Sequence, residues 1–184
     1  DMAALMYSVY ENKTWSAPKI LDDDGTADYN PTVKLNDDGT VCVVWQDNAK
    51  AFNTNDMSLQ ENLKNIDISY AKLNMNTGEI LENTVVSAKG DGIYKMMPLV
   101  SSNDSETTIT WIENNENDPL MLNGTNAVKS VTKQKAAQEW TAPKTEKENI
   151  STITSMDNAY VNGENVIAYV EGNYSKEYGQ ILNS

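Results

Sequence analysis

The sequence predicts an all-β fold of the β-propeller type, made of four-stranded antiparallel blades and holding about three blade equivalents. Three observations carry this. The stretch from Asn30 to Asn48, NPTVKLNDDGTVCVVWQDN, is a β-hairpin written in full. Pro31 to Leu35 alternates, Asn36-Asp37-Asp38-Gly39-Thr40 turns, and Val41-Cys42-Val43-Val44-Trp45 runs back apolar. The pattern then recurs about every 60 residues. Pro98-Leu99-Val100 with Thr107 to Trp111 is the second copy, and Ala159-Tyr160-Val161 with Val166 to Tyr169 is the third. Finally, two strand types share one offset. Trp15 and Trp140, in the phrases TWSAPK and EWTAPK, lie 125 residues apart, while Gly39 and Gly163, like Trp45 and Tyr169, lie 124 apart.

The elements follow in order. Residues 1–20 offer two outer strands, Ala3 to Glu11 and Thr14 to Ile20, turned at Asn12-Lys13. Pro18 suits an edge, because it cannot donate to a ladder. Residues 21–88 form a blade. A polar loop, Leu21 to Tyr29, leads into the central hairpin, and a long connection, Gln46 to Asn65, follows it. Within that connection Asp56 is a cap candidate ahead of apolar residues at helical spacing, which predicts a short helix. Ile66 to Leu73 alternates as a strand, Asn74 to Gly78 turns, and Glu79 to Ser87 is the fourth strand. Residues 89–148 form the next blade, with strands Tyr94 to Ser101, Thr107 to Glu113, Asn126 to Gln134 and Trp140 to Thr145. Residues 149–184 supply inner strands, Met156 to Val161 and Asn165 to Glu171, with a further segment at Tyr178 to Leu182. Outer strands at one end and inner strands at the other predict a closing blade split between the chain ends, all within one domain. An arc of three blades would leave open edges. The sequence therefore implies either flanking segments or a homodimer completing the ring. The chain begins at Asp1 rather than Met, which reads as a mature product or an excised piece.

Composition excludes more than it assigns. With 184 residues the chain can bury one sizeable core. A net charge of −13 excludes nucleic acid, since nothing would neutralise phosphates. It also disfavours anionic membrane surfaces, and no apolar run is long enough to insert. There is no His, so no Ser-His-Asp triad and no imidazole metal site. There is no Arg, so no bidentate grip on a carboxylate or phosphate. The single cysteine, Cys42, excludes an internal disulfide and reads as a small core residue in a strand. Abundant Asn and Gly-Asn-Asp turns suit a secreted or cell-surface β-protein. Five Asn-x-Ser/Thr triplets (at Asn12, Asn103, Asn123, Asn149 and Asn173) are about what this composition gives by chance and carry no argument.

The phrase Tyr7-Ser8-Val9, Lys13-Thr14-Trp15-Ser16-Ala17-Pro18-Lys19-Ile20, then Tyr29-Asn30-Pro31-Thr32-Val33 and Gly39-Thr40-Val41 through Trp45, resembles blades of the sialidase-like (BNR or Asp-box type) β-propeller superfamily. The Asp-box turn of that family is degenerate here. Ser8 and Trp15 keep its ends, while Glu11 and Lys13 replace the usual Asp and Gly neighbours. The resemblance implies the architecture and, by analogy, glycan-related biology. It does not imply sialidase activity, because family sialidases use an arginine triad that this chain lacks.

Candidate sites follow from the repeat. Trp45-Gln46-Asp47, Trp111-Ile112-Glu113 and Tyr169-Val170-Glu171 place a carboxylate just past equivalent strands. On one propeller face these could bind sugar hydroxyls, ligate Ca²⁺ or act as a general acid and base. The ordinary reading is a solvated strand exit. Asp22, Asp24 and Asp28, in the loop entering the first blade, are calcium candidates, although they lack the ligand spacing of an EF-hand; turn chemistry explains them equally. Tyr29 and Tyr94 could stack on a pyranose, or simply pack. The four tryptophans read as packing residues. Lys64, Lys72 and Lys95 could do chemistry only if buried. The sequence thus favours a non-catalytic module that binds a glycan or a protein ligand, with Asp47, Glu113, Glu171, Tyr29 and Tyr94 on its loop face. A glycoside hydrolase using paired carboxylates and a purely structural spacer are the alternatives.

Overall fold

A computed structural model of the chain describes residues 3–51, 55, 58–114, 116, 118–122, 125–175 and 180–183. It is all-β, with antiparallel ladders throughout apart from one isolated parallel bridge, Ala3 to Ala27, and a single short helix among the described residues. The first 22 residues supply β1 (Leu5–Tyr7), β2 (Tyr10–Glu11), β3 (Thr14–Trp15) and β4 (Lys19–Asp22). The first blade is β5 (Asp28–Leu35), β6 (Thr40–Asn48), β7 (Ile66–Asn74) and β8 (Glu79–Val85), with α1 (Leu59–Leu63) between β6 and β7. The second blade is β9 (Tyr94–Ser102), β10 (Glu106–Asn114), β11 (Asn126–Gln134) and β12 (Lys144–Ile150). A third sheet follows, β13 (Thr152–Val161), β14 (Glu164–Ser175) and β15 (Gln180–Asn183). Each sheet runs in simple up-and-down order. The innermost strand of the second blade, β9, packs against β5, β6 and β7 on one side and β13 on the other. The three sheets are therefore stacked as successive blades.

The turns explain the hairpins. In the first blade Asn36 donates to Thr40 and Asp38 accepts from the Thr40 amide, while Gly39 takes φ +78°, a region costly for residues with a Cβ. Asn162 and Gly163, at φ +52° and +86°, form the tight two-residue turn between β13 and β14. The helix is capped two residues after the cap candidate Asp56. Ser58 caps it in a reciprocal box with Glu61, and the cap candidate Asp56 lies outside the described residues.

Packing is carried by alternation. In β6, Cys42 and Val44 face the second blade and join Tyr70, Ile109 and Trp111 in one core. Val43 and Trp45 face the other way and pack under Leu5 and Leu21 of the N-terminal strands. A third core, with Tyr94, Ile112, Val128, Ile153 and Met156, lies between the second and third blades. Cys42 is fully buried, as its place in the apolar run implies. Side-chain bonds stitch the joints: Thr32 Oγ1 donates to the Pro98 carbonyl at 3.0 Å, and Asn158 Nδ2 donates to Thr110 Oγ1 at 3.2 Å.

Three expectations change. The chain ends do not share a blade among the described residues: β1 pairs with β4 and β2 with β3, while β13 to β15 form their own sheet. The physical reason is that the N-terminal strands are short and spend their apolar side chains, Leu5 and Leu21, on the outer face of the first blade. The strand expected over Trp140 to Thr145 forms instead at Lys144–Ile150. Trp140 remains outside it, with its ring edge-on to Tyr70 at 4.9 Å and its indole N–H donating to Glu82 at 3.0 Å. Trp15 is not a packing residue. It is 70% exposed and leans on Tyr10, at 5.2 Å between ring centroids.

Unfolding in urea should separate the tryptophans. Trp111→Ala empties the joint between blades and should cost about 3–5 kcal/mol. Trp15→Ala should cost under about 1.5 kcal/mol, the scale of one aromatic pair.

Candidate functional site

A cavity of about 520 Å³ opens where the first and second blades meet. Its walls come from four elements. The start of β5 brings Asp28, Tyr29 and Asn30; β6 brings Gln46; the start of β9 brings Tyr94, Lys95 and Met96; and α1 brings Leu59, Asn62 and Leu63. Ile66 and Pro119 complete the lining. A break in register between Tyr29 and Thr32 marks a bulge, with Asn30 at φ +49° before Pro31. Such bulges re-aim side chains at the rim of a sheet. Here Asn30 Nδ2 donates to Gln46 Oε1 at 2.5 Å, and Gln46 Nε2 donates to the Lys95 carbonyl at 2.8 Å. One amide chain thus ties both blades across the cavity. Asn48 Nδ2 donates to Asn62 Oδ1 at 2.6 Å and holds the helix against the sheet.

Beside the cavity lies a row of carboxylates. Register places Asp28 opposite Asp47, and Asp47 opposite Asp67, on three neighbouring strands. Like charges directly opposite destabilise a sheet. Burial pushes the Asp28 carboxyl up to about 7, with the Asp22 and Asp47 charges adding to the rise and the Trp45 indole partly offsetting it. Asp28 Oδ2 accepts from the Leu5 amide at 3.1 Å, while the buried Asp28 Oδ1 and the buried Trp45 Nε1 favour each other electrostatically without forming a hydrogen bond of good geometry. Asp47 is also raised by burial, although its bond from Ser69 Oγ at 2.6 Å works against the rise. Asp67 is raised by burial too, opposed by the Gly90 amide and by Lys95.

Lys95 is 1% exposed. Its ammonium lies 2.5 Å from Asp91 and 3.5 Å from Asp67, so the condition set for it by the sequence, burial, is met, and its charge is spent on two aspartates. Lys64 holds its ammonium 5.5 Å from the centroid of the Tyr94 ring, and Lys72 is a half-exposed residue 4.0 Å from Asp38.

The residues singled out by sequence divide cleanly. Tyr29, Tyr94 and Asp28 come together in the cavity. Tyr29 is 37% exposed and can offer a ring face, whereas Tyr94 is buried as wall, its phenol raised by burial and the neighbouring Asp118 charge. The three strand-exit carboxylates do not converge on it. Asp47 is held by Ser69 behind the cavity. Glu113 accepts from Trp111 Nε1 at 2.9 Å and lies 3.9 Å from Lys129. Glu171 is exposed and accepts from the Ser151 amide at 2.9 Å. Of the calcium candidates, Asp24 accepts from the amide and hydroxyl of Thr26 in its own turn, and Asp22 is raised by burial and then by Asp24. Among the described residues no group of three or more acidic side chains stands where it could hold a metal ion. Asn30, Gln46 and Asn62 were not singled out by sequence, and the helix was expected as an element but not as the wall of a site. The signal available was the length of the connection between β6 and β7, which exceeds any other in the blades.

No family model matches the chain, and no curated protein matches it. Among solved structures it is similar to that of a Penicillium chrysogenum alpha-L-arabinanase complexed with arabinobiose, at 10% identity and a TM-score of 0.46. The alignment covers 94% of this chain and 51% of that one, so the chain spans about half the length of the structure it matches.

Two outcomes follow from the electrostatics. Asp28 is raised in the folded chain, from 3.8 to about 7, so within that window the native state holds a proton that the unfolded state has lost. Its contribution to stability therefore falls as pH rises across the window. Asp28→Asn keeps an acceptor for the Leu5 amide and removes the ionisation. Chemical denaturation of the variant should show a flatter stability profile from about pH 4 to 7 and greater stability at about pH 8. Lys95→Met strands Asp67 and Asp91 and should cost about 3–5 kcal/mol, as for a broken buried pair.

Proposed function

We propose that this chain is a non-catalytic carbohydrate-binding module that takes a neutral sugar in the cavity between its first two blades. The observation that carries the reading is the lining: an exposed tyrosine ring and three amide side chains arranged over Leu59, Leu63, Ile66 and Met96. Sugars present apolar C–H faces and rings of hydroxyls. An aromatic face suits the first, and amides suit the second. A volume near 520 Å³ falls in the ordinary range for small-molecule sites and suits one or two sugar rings.

Charge favours a neutral ligand. Among the described lining residues the one lysine is buried and bound to two aspartates, so none of them offers a free cation to an anionic sugar. This reading departs from sialidase chemistry while keeping the sialidase-like blade as its architectural resemblance. The lining also favours binding over hydrolysis. Glycoside hydrolysis needs two carboxyl groups about 5–9.5 Å apart across the bond, and among the described lining residues only Asp28 carries one. A role in a secreted or cell-surface protein, where such a module meets glycans, belongs to the same proposal.

A broad glycan array followed by calorimetry tests it. Selective binding of a neutral saccharide is expected, unchanged by chelator. Tyr29→Ala should weaken it about tenfold, the equivalent of ~1.4 kcal/mol. Folded protein that binds nothing on the array, or binding that is indifferent to Tyr29→Ala, would sink this reading in favour of a scaffold or protein-partner role.

A further inference from the structure

Among the described residues, one ion pair has both of its side chains removed from water. Lys95 of β9 and Asp67 of β7 keep 0% and 2% of their side-chain surfaces exposed, with Nζ and Oδ1 3.5 Å apart. The other ion pairs each leave at least one partner partly in solvent. The two residues come from different blades and lie 28 positions apart. Ile66 and Ile68 flank Asp67, Tyr94 precedes Lys95, and all three are buried. Two further groups meet at the pair. Asp91, in the loop between β8 and β9, lies 2.5 Å from the ammonium and keeps 21% of its side chain in solvent. The Gly90 amide donates to both oxygens of Asp67, at 3.1 and 3.2 Å.

A buried ion pair loses hydration that its own attraction seldom restores in full. The same four groups are the parts of an amide synthesis. Lys95 is an amine withdrawn from water, Asp67 is a carboxyl acceptor, Asp91 is a base in contact with the amine, and Gly90 is an N–H donor on the acceptor's oxygens. In water the separated ions are favoured over amide and water. In a dry site the ions lose that advantage, and the fold replaces a bimolecular encounter by an intramolecular one.

We propose that Lys95 and Asp67 join through a side-chain amide, made by the folded chain itself and linking the first blade to the second. The structure holds the groups as the unlinked reactants. The two aspartates divide the work by environment. Asp67 is raised by burial, and a neutral carboxyl is the form that an amine attacks. Asp91 is the nearer to the ammonium and the more exposed, as a base that must return a proton to solvent should be. Asp91 takes a proton from the ammonium, and the Nζ lone pair forms a bond to Cγ of Asp67. The Gly90 N–H steadies the oxygen that gains charge. A proton then passes from nitrogen to the Asp67 hydroxyl, the C–O bond breaks and one water leaves. Asp91, left protonated, gives its proton to solvent. The N–H that remains on the linkage replaces the ammonium as donor to Asp91, and the carbonyl keeps the Gly90 amide, so no buried polar group loses its partner. This proposal does not rest on the sugar-binding reading.

Mass spectrometry of the folded wild-type chain is the test, and it needs no variant. The 20.4 kDa chain should be lighter than its sequence requires by one water. Trypsin should fail to cut after Lys95, and residues 65–72 should emerge joined to residues 90–129. A cyclic imide at Asp91-Gly92 would cause the same loss of mass but leave Lys95 open to trypsin. Lys95→Arg keeps the positive charge and forms no such amide, so it should regain the full mass and be cut at that position. Asp91→Asn removes the base and should slow linkage about a hundredfold, with circular dichroism checking that each variant is folded. Folded wild-type chain at its full mass overturns the proposal. So does a lost water that persists in Lys95→Arg, or one that maps to Asp91 rather than to Asp67. Linkage at an unchanged rate in folded Asp91→Asn overturns the role given to Asp91.

Discussion

The structure depends on burying both faces of its central strands. Alternation puts Cys42 and Val44 on one side of β6 and Val43 and Trp45 on the other, and all four are at most 5% exposed. A single sheet cannot achieve this, because one of its faces always meets water. Stacking supplies the second face. The second blade covers one side of β6 and the N-terminal strands cover the other. Strand β10 is treated likewise, with Ile109 and Trp111 turned to the first blade and Ile112 to the third. Val166 of the third blade, 47% exposed, stands at the position that Cys42 holds in the first, and Val33 is exposed beside the part of the first blade that the N-terminal strands cover.

The cavity arises where stacking is interrupted. Blades diverge from their common packing at the strand ends, and here two local features widen the gap. The bulge at Asn30 turns the start of β5 aside, and α1 stands over it as a wall fixed by the Ser58 and Glu61 cap and the Asn48 to Asn62 bond. Both features cost backbone regularity. Asn30 adopts a positive φ, and the chain leaves the ladder for the whole connection from β6 to β7. The hydrogen bonds that Gln46 makes to Asn30 and to the Lys95 carbonyl compensate by bracing the two blades across the opening. A polar cross-brace buried between sheets is stable only when its members are satisfied, and Gln46 uses both its oxygen and its nitrogen.

Sequence reveals the repeating part of this design and hides the irregular part. Hairpins at Val33 to Val43 and Ala159 to Val166 were legible because period-two alternation and Gly39 or Asn162-Gly163 turns are local signals. The offset shared by Trp45 and Tyr169 even identified which faces correspond. Trp15 misled because a tryptophan in a recurring phrase looks like packing; its exposure depends on where the short β2–β3 hairpin lies, which is not a local property. The carboxylates past Trp45, Trp111 and Tyr169 misled for a related reason. Equivalent positions in successive blades are related by rotation, so they point to one site only if the strand exits also lean inward. Each instead takes the nearest donor, respectively Ser69, Trp111 and the Ser151 amide. Tyr29 and Tyr94 line the cavity because they stand at strand entrances, where the first two blades come into contact. Asn62 was not legible in the sequence, since its place depends on how a helix docks.

The row from Asp28 through Asp47 to Asp67 has no role that the sheet requires. Three carboxylates on adjacent strands repel one another, and burial penalises each charge. One end of the row is relieved by Lys95, which is itself removed from water to do so. The other end is not relieved in the same way. Asp28 has one oxygen that only the Trp45 indole helps, short of a well-formed hydrogen bond, and a carboxyl that holds its proton to about neutrality. Such a group is costly when ionised, and the fold tolerates it by keeping it protonated: the N-terminal strand that covers this side of β6 supplies the Leu5 amide to one oxygen and takes part in the burial that raises the carboxyl.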